Sequence, residues 1–215
     1  MRDAYHDELD AVTNELVEMT RAVRSAMSRA TTALLDADLQ LAESVISADE
    51  TVDKLHHDVE TRIYDLMARQ QPVARDLRTL VTAQHMSSDL ERMGDLAQHV
   101  AKIARLRHPD STVPPELRST ILEMAQIAER LVTKAGSVIA AQDAETALEL
   151  HEDDERMDTL RRDLFRTLLS PGWQHGVEPA IDITLIGRYY ERYADHAVSV
   201  ARSLVYVVTG EHPDD

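Results

Sequence analysis

The chain has 215 residues and a formal net charge of −16, and its 43% hydrophobic residues suffice for a packed core. The negative charge makes nucleic acids and anionic lipids poor direct partners, because binding them requires basic surface to displace counterions. A short basic cluster, Lys102 to Arg107, does not reverse that balance. Cysteine is absent, which excludes disulfides, thiolate catalysis and cysteine-ligated clusters.

Six helices are predicted, because long proline-free stretches carry a helical hydrophobic period and turn glycines are scarce. The first ends near Leu35, and Asp38 is a good N-cap for the second. In the second half of the chain, Gln142 and Asp143 interrupt the pattern in the same way. The predicted helices span about residues 3–36, 38–70, 74–107, 115–141, 143–169 and 179–209.

The expected location is the cytoplasm. The N-terminal stretch is charged and has no apolar core like that of a signal peptide. No run approaches 18 apolar residues, so no direct insertion into a membrane is expected.

The two halves of the chain repeat each other. The proline-rich segment His108–Pro115 divides the sequence into a first three-helix repeat, 1–108, and a second, 109–215. A shift of about 105 residues aligns the first two helices of each half, and a shift of about 100 aligns the third. Such repetition over three successive helices predicts an all-α protein in which two three-helix units pack together.

Carboxylate pairs four residues apart occupy equivalent positions in the two repeats. Chance alone gives about seven such pairs in a chain of this composition, so their placement carries the information. The pairs lie on the third helices and on the second helices: Glu91/Asp95 and Glu191/Asp195, and Asp49/Asp53 and Asp154/Asp158. The third-helix pairs lie off the apolar stripe, so we expect them to be largely exposed.

These carboxylates suit a surface site for hard cations such as Mg²⁺, Mn²⁺ or iron. His56 and His99 add nitrogen donors in the first repeat, where the second has Arg161 and Ser199. The first site is therefore expected to bind better. The alternative is a solvated acidic face with Arg92 and its equivalent, Arg192, as counterions.

Catalytic motifs are missing from the sequence. It has no phosphate-binding Gly-rich loop, no dinucleotide fingerprint and no nucleophile elbow. Ferritin-like di-metal enzymes use Glu-x-x-His on two core helices, and the single Asp53-x-x-His56 does not meet that pattern. We therefore predict a binding protein, not an enzyme.

The repeated Glu-Arg-x-x-Asp resembles that of the PhoU family of phosphate-uptake regulators, over about residues 5–208. The stretches that carry the resemblance are Gln71–Arg78, Asp89–Asp95 and Tyr190–His196. The chain departs from the family at Leu96, where His is usual, and at His99, where Asn is common. The second repeat also has no close copy of Gln-Pro-Val-Ala-Arg-Asp.

The resemblance implies two antiparallel three-helix bundles side by side and a negative regulator of phosphate uptake and starvation signalling. Its implied partners are the ATPase subunit of a phosphate ABC transporter and a sensor histidine kinase. It also implies metal clusters held by the carboxylate pairs. The oligomeric state stays open, a homodimer included. The alternatives are a carboxylate-liganded helical-bundle metalloprotein and a scaffold without a phosphate role.

Overall fold

The computed structural model describes residues 2–143, 147 and 150–210, with side chains from residue 5 onward. It is 88% helical, and no strand occurs within these ranges. A short 3-10 turn, Pro115–Leu117, precedes the fourth helix. The six long helices are α1 Arg2–Asp36, α2 Leu39–Gln70, α3 Ala74–Arg107, α4 Arg118–Ala141, α5 His151–Leu168 and α6 Val177–Thr209.

The start of α2 and the ends of α2 and α4 are set by local capping interactions and backbone conformation. The Leu41 amide donates to the Asp38 carboxylate at 2.9 Å, which confirms the predicted N-cap of α2. Gln71 and Gln142 adopt the left-handed conformation that closes α2 and α4, with φ of 46° and 51°. The sequence predicts that the fifth helix begins at about residue 143. Residues 144–146 and 148–149 lie outside the described part, and α5 is described from His151.

Four helices form the centre of the molecule. Helices α1 and α3 of the first repeat pack against α4 and α6 of the second, respectively. Helix α2 packs on α1 and α3, and α5 packs on α4 and α6, so each covers one side of this centre. One continuous hydrophobic cluster runs through all six helices. The predicted fold, two three-helix bundles packed side by side, is confirmed.

The third helices of the two repeats lie antiparallel to each other. The Arg78 guanidinium near the start of α3 lies over the Tyr206 ring near the end of α6, 5.5 Å from its centroid. At the other end, Arg107 Nε donates to Asp182 Oδ2 at 2.5 Å. Buried and exposed positions follow the same order in residues 81–90 and 181–190, as the shift of 100 residues requires. The two helices are therefore related by an approximate two-fold axis between them.

A candidate carboxylate site between the second and third helices

In the first repeat, α2 and α3 approach closely at Gly94. A Cβ atom there would lie 3.1 Å from Val52 Cγ1 and 3.2 Å from Asp49 Oδ1. The missing side chain therefore lets the Asp49 carboxylate lie against the backbone of α3, one residue before Asp95. This contact brings the predicted pairs on α2 and α3 together.

The carboxylates of the first repeat are close enough to perturb one another. Burial, and then the negative charges of Asp53, Asp95 and Glu91, raise the pKa of Asp49 to about 6, with Lys102 opposing the shift. The pKa of Glu91 is also raised, first by burial and next by Asp95, whereas Arg92 and His56 oppose the shift. All four predicted carboxylates of this repeat therefore form one cluster.

The predicted exposure holds for Asp195 but is wrong for the other three third-helix carboxylates. The side chains of Glu91 and Asp95 are only 21% and 30% exposed, and Glu191 is buried at 8%. Hydrophobic periodicity locates the face of α3 that meets the common core. It does not reveal that flanking helices also cover the neighbouring positions.

Both candidate histidine ligands of the first repeat are engaged through Nδ1. His56 Nδ1 lies 2.8 Å from Ser87 Oγ, and His99 Nδ1 lies 2.6 Å from the Asp95 carbonyl oxygen. Contacts of this kind fix the orientation of an imidazole ring. Arg92 also contacts the cluster, since its guanidinium pairs with Asp95 at 2.8 Å and with Glu91 at 3.5 Å. The predicted counterion is therefore present in the first repeat.

The second repeat assembles only part of its set. Burial, and then Asp195 and Asp158, raise the pKa of Asp154, so these three carboxylates lie together. Glu191 is instead paired with two arginines. Its carboxylate accepts from Arg188 at 2.5 Å and lies 3.7 Å from Arg161.

A cavity missed by the sequence analysis opens beside Asp154 and Asp195. It measures about 630 Å³, within the range of small-molecule sites, and lies between α3, α5 and α6. Thr82 and His85 of the first repeat line it, together with Arg202 of the second. The lining residues on α3 precede those on α5 and α6 by more than 60 residues in sequence, so no local motif could have predicted the cavity.

Known proteins share this architecture. A model of the PhoU domain matches the chain twice, over residues 16–104 and 121–204. A phosphate-specific transport system accessory protein PhoU homolog 2 of Mycobacterium tuberculosis is 47% identical over 213 residues, covering 99% of this chain and all of that protein. Homolog 1 of Mycobacterium leprae is 45% identical, covering 100% of this chain and 97% of its own. The chain belongs to the PhoU family.

A solved PhoU structure, from Pseudomonas aeruginosa, also resembles this PhoU-family chain. It has a TM-score of 0.86 at 27% sequence identity, covering 96% of this chain and all of the other. The two PhoU-domain matches fall on either side of the predicted boundary at residues 108 and 109. None of the described helices is both long and apolar enough to cross a membrane.

The first-repeat cluster has donors that suit the cations expected of it. Carboxylate oxygens with an adjacent imidazole fit Mg²⁺, Mn²⁺ or iron. Within the described ranges, however, no three acidic or histidine side chains are already arranged to coordinate one metal ion. A cation would therefore require side-chain rotation, which fits an open and exchangeable site better than a closed structural one.

Proposed function

We propose that the protein is a negative regulator of phosphate uptake and phosphate-starvation signalling. It acts in the cytoplasm, without catalysis, as an adaptor between the ATPase subunit of a phosphate ABC transporter and a sensor histidine kinase. One observation carries the proposal. The similarity to accessory proteins of phosphate-specific transport systems runs from end to end and includes both repeats.

The architecture supports an adaptor in physical terms. The two repeats share one hydrophobic cluster, so the described part of the chain packs as one body with separate outer surfaces. A body of this kind can hold two partners at a fixed separation without a flexible linker.

Deleting the protein is expected to raise phosphate uptake and to switch on starvation genes in phosphate-rich medium. Uptake of labelled phosphate and a starvation-promoter reporter measure the two effects, with a plasmid-borne copy as the control. Purified protein should also bind the ATPase subunit and the kinase in calorimetry. Unchanged reporter expression in a deletion strain without a paralogue would contradict the proposal.

We also propose that the carboxylate pairs bind divalent cations or iron. The first site comprises Asp49, Asp53, Glu91 and Asp95. The second comprises Asp154, Asp158 and Asp195, with Glu191 available only after leaving its arginines. The physical reason is mutual repulsion, which, after burial, raises the pKa values of Asp49 and Asp154 and which a cation relieves. The bound cation supplies positive charge between α2 and α3.

Replacing both Glu91 and Asp95 with Ala is expected to abolish metal uptake at the first site with little loss of helix, since Ala is a good helix former. Chelator-stripped protein reloaded with Mg²⁺, Mn²⁺ or Fe²⁺ is compared by elemental analysis and calorimetry. The paired change Glu43→Ala and Asp58→Ala is the control, because it removes two exposed carboxylates of α2 outside the cluster.

The second site provides an internal comparison. Asp154→Ala with Asp195→Ala should remove less bound metal, because Glu191 is already neutralised by Arg188 and Arg161. Equal uptake by the wild type and the Glu91/Asp95 variant would identify the cluster as a solvated acidic face.

A further inference from the structure

The cavity beside Asp154 and Asp195 is lined by hydrogen-bonding groups that have no partner. Thr82 is only 4% exposed, and its hydroxyl makes no hydrogen bond with any residue that the structure describes. The same holds for the Ser203 hydroxyl and the His85 imidazole, which also line the cavity. Buried polar groups are normally hydrogen-bonded, so a buried, unpartnered threonine at a cavity wall points to a ligand that supplies the partner.

These unpartnered groups lie at one level of the antiparallel helices α3 and α6. Ser199 Oγ donates to Asp89 Oδ2 at 2.7 Å, which fixes how the two helices are aligned. About one turn further along each helix, in opposite chain directions, His85 lies level with Arg202. The two hydroxyls belong to the same level, beside this pair. Unpartnered donors next to an arginine suit an oxyanion, because hydrogen bonds between charged groups are the strong ones.

The other end of the cavity is acidic. Asp195 precedes Arg202 by seven residues on α6, which is roughly 10 Å along the helix axis. Asp195 and Asp158 contribute, after burial, to the raised pKa of Asp154, whereas Arg202 opposes that shift. The acidic end and the positive charge of Arg202 are therefore close enough to act on each other. A bare anion would be repelled by the carboxylates, so a ligand that fills the whole cavity needs charges of both signs.

The equivalent position at the other end of the helix pair does not have this lining. A shift of 100 residues places apolar side chains there: Leu185, Ile103 and Leu106 in place of His85, Ser203 and Tyr206. Thr82 corresponds to Asp182, which already accepts from Arg107 Nε at 2.5 Å. The unpartnered donors are therefore no consequence of the repeated fold, because the chain has them at only one of two equivalent positions.

We infer that this cavity binds a phosphate group together with a divalent cation. The cation lies on Asp154 and Asp195, and the phosphate oxygens accept from His85, Arg202 and the two hydroxyls. Mg²⁺ is commonly held in this way, by one or two carboxylates and the phosphate of a bound ligand. The inference rests on the cation site proposed above for the second repeat, and it adds the anion that the bound cation would share.

The size of the cavity leaves room for more than the phosphate. Its volume of about 630 Å³ lies in the range of sites for small organic ligands. Val198 and Tyr206 supply an apolar and an aromatic wall beyond the phosphate position. Inorganic phosphate and the phosphate of a nucleotide share the chemistry that the donors recognise, so both are used as probes.

Calorimetry of the chelator-stripped full-length protein tests the inference, with inorganic phosphate or AMP titrated in the presence and absence of Mg²⁺. We expect one phosphate compound to bind per chain, and only when Mg²⁺ is present. Thr82→Val and Arg202→Gln should each weaken that binding about tenfold, because each removes a donor to a charged group. Both variants should still take up Mg²⁺.

Lys102→Gln is the matched control for Arg202→Gln, because it removes the basic side chain at the equivalent position of the first repeat. It should leave the affinity for the phosphate compound within about twofold. Asp154→Asn with Asp195→Asn should abolish binding of the phosphate compound, since the cation that joins it to the protein is lost. Circular dichroism and melting curves of every variant establish that it is folded.

The outcomes separate the anion from the cation site. If the protein takes up Mg²⁺ in the second repeat and binds neither phosphate nor AMP, the inference is overturned and the cation site stands. Binding that is equally strong without Mg²⁺, or that Thr82→Val and Arg202→Gln leave unchanged, also overturns it. If neither Mg²⁺ nor a phosphate compound binds, both proposals are overturned. Mg²⁺-dependent binding of AMP alone supports the inference with an organic phosphate as the ligand, and binding of inorganic phosphate supports it with the free ion.

Discussion

Replacing Gly136 with Val is expected to lower the free energy of unfolding by about 2–3 kcal/mol, because the side chain overpacks the crossing of α1 and α4. A Cβ atom at Gly136 would lie 2.6 Å from Thr20 Oγ1 and 3.3 Å from Thr20 Cβ. Thr20 is itself buried, and its hydroxyl donates to the Val17 carbonyl at 2.7 Å. The threonine therefore cannot rotate away without losing that hydrogen bond, so the two helices must separate.

Urea denaturation of the Gly136→Val variant measures the loss. Ser137→Val is the matched control, since it places the same side chain at the next, exposed position of α4 and should change stability by less than about 0.5 kcal/mol. Adding Thr20→Ala should restore part of the loss by making room for the valine. An unchanged urea midpoint for Gly136→Val would show that the crossing accommodates a side chain.

Two neighbouring tyrosines of α6 are expected to respond in opposite directions to the same change. Both are fully buried, and burial raises the pKa of both phenols, so they are neutral near pH 7. The Tyr190 hydroxyl lies 2.5 Å from Thr31 Oγ1. The Tyr193 hydroxyl has no hydrogen-bond partner among the residues that the structure describes.

Tyr190→Phe should therefore lower stability by about 1 kcal/mol, because it breaks a buried hydrogen bond. Tyr193→Phe should raise stability by about 1 kcal/mol, because it removes a hydroxyl that is buried without a partner. Each variant serves as the control for the other, since both remove one oxygen atom from the same helix. A loss of stability for Tyr193→Phe comparable to that for Tyr190→Phe would show that its hydroxyl is hydrogen-bonded in solution.

The helices could be predicted because the features that indicate them, capping residues and hydrophobic periodicity, lie within each helix or next to it. Asp38 caps α2 as its side chain predicts. The apolar residues of α3 that share one helix face are buried throughout: Leu90, Met93, Ala97, Val100 and Ala104. The repeat could also be recognised from the sequence, because aligning the two halves of the chain requires no three-dimensional information. These features predicted the fold, including the packing of one repeat on the other.

The site was less predictable, because it depends on contacts between helices. Glu191 occupies the position equivalent to Glu91, yet it is buried and paired with Arg188 and Arg161. The spacing from Arg188 to Glu191 is a visible i,i+3 pair, but such pairs are common and do not predict burial. The close approach at Gly94 and the cavity beside Asp154 likewise depend on how neighbouring helices cross.

Because the two repeats share one core, the boundary near residue 108 does not separate two independently stable domains. The segment between α3 and α4 joins two halves that also hold each other through α1 with α4 and α3 with α6. A polypeptide cut in that segment would keep most of its buried contacts, whereas either half alone would expose the hydrophobic face that now meets the other. The sequence repeat thus divides the chain into two similar units, while the thermodynamic unit is the whole chain. Such a protein behaves like an obligate dimer whose subunits have been fused, so neither half can dissociate to regulate the other.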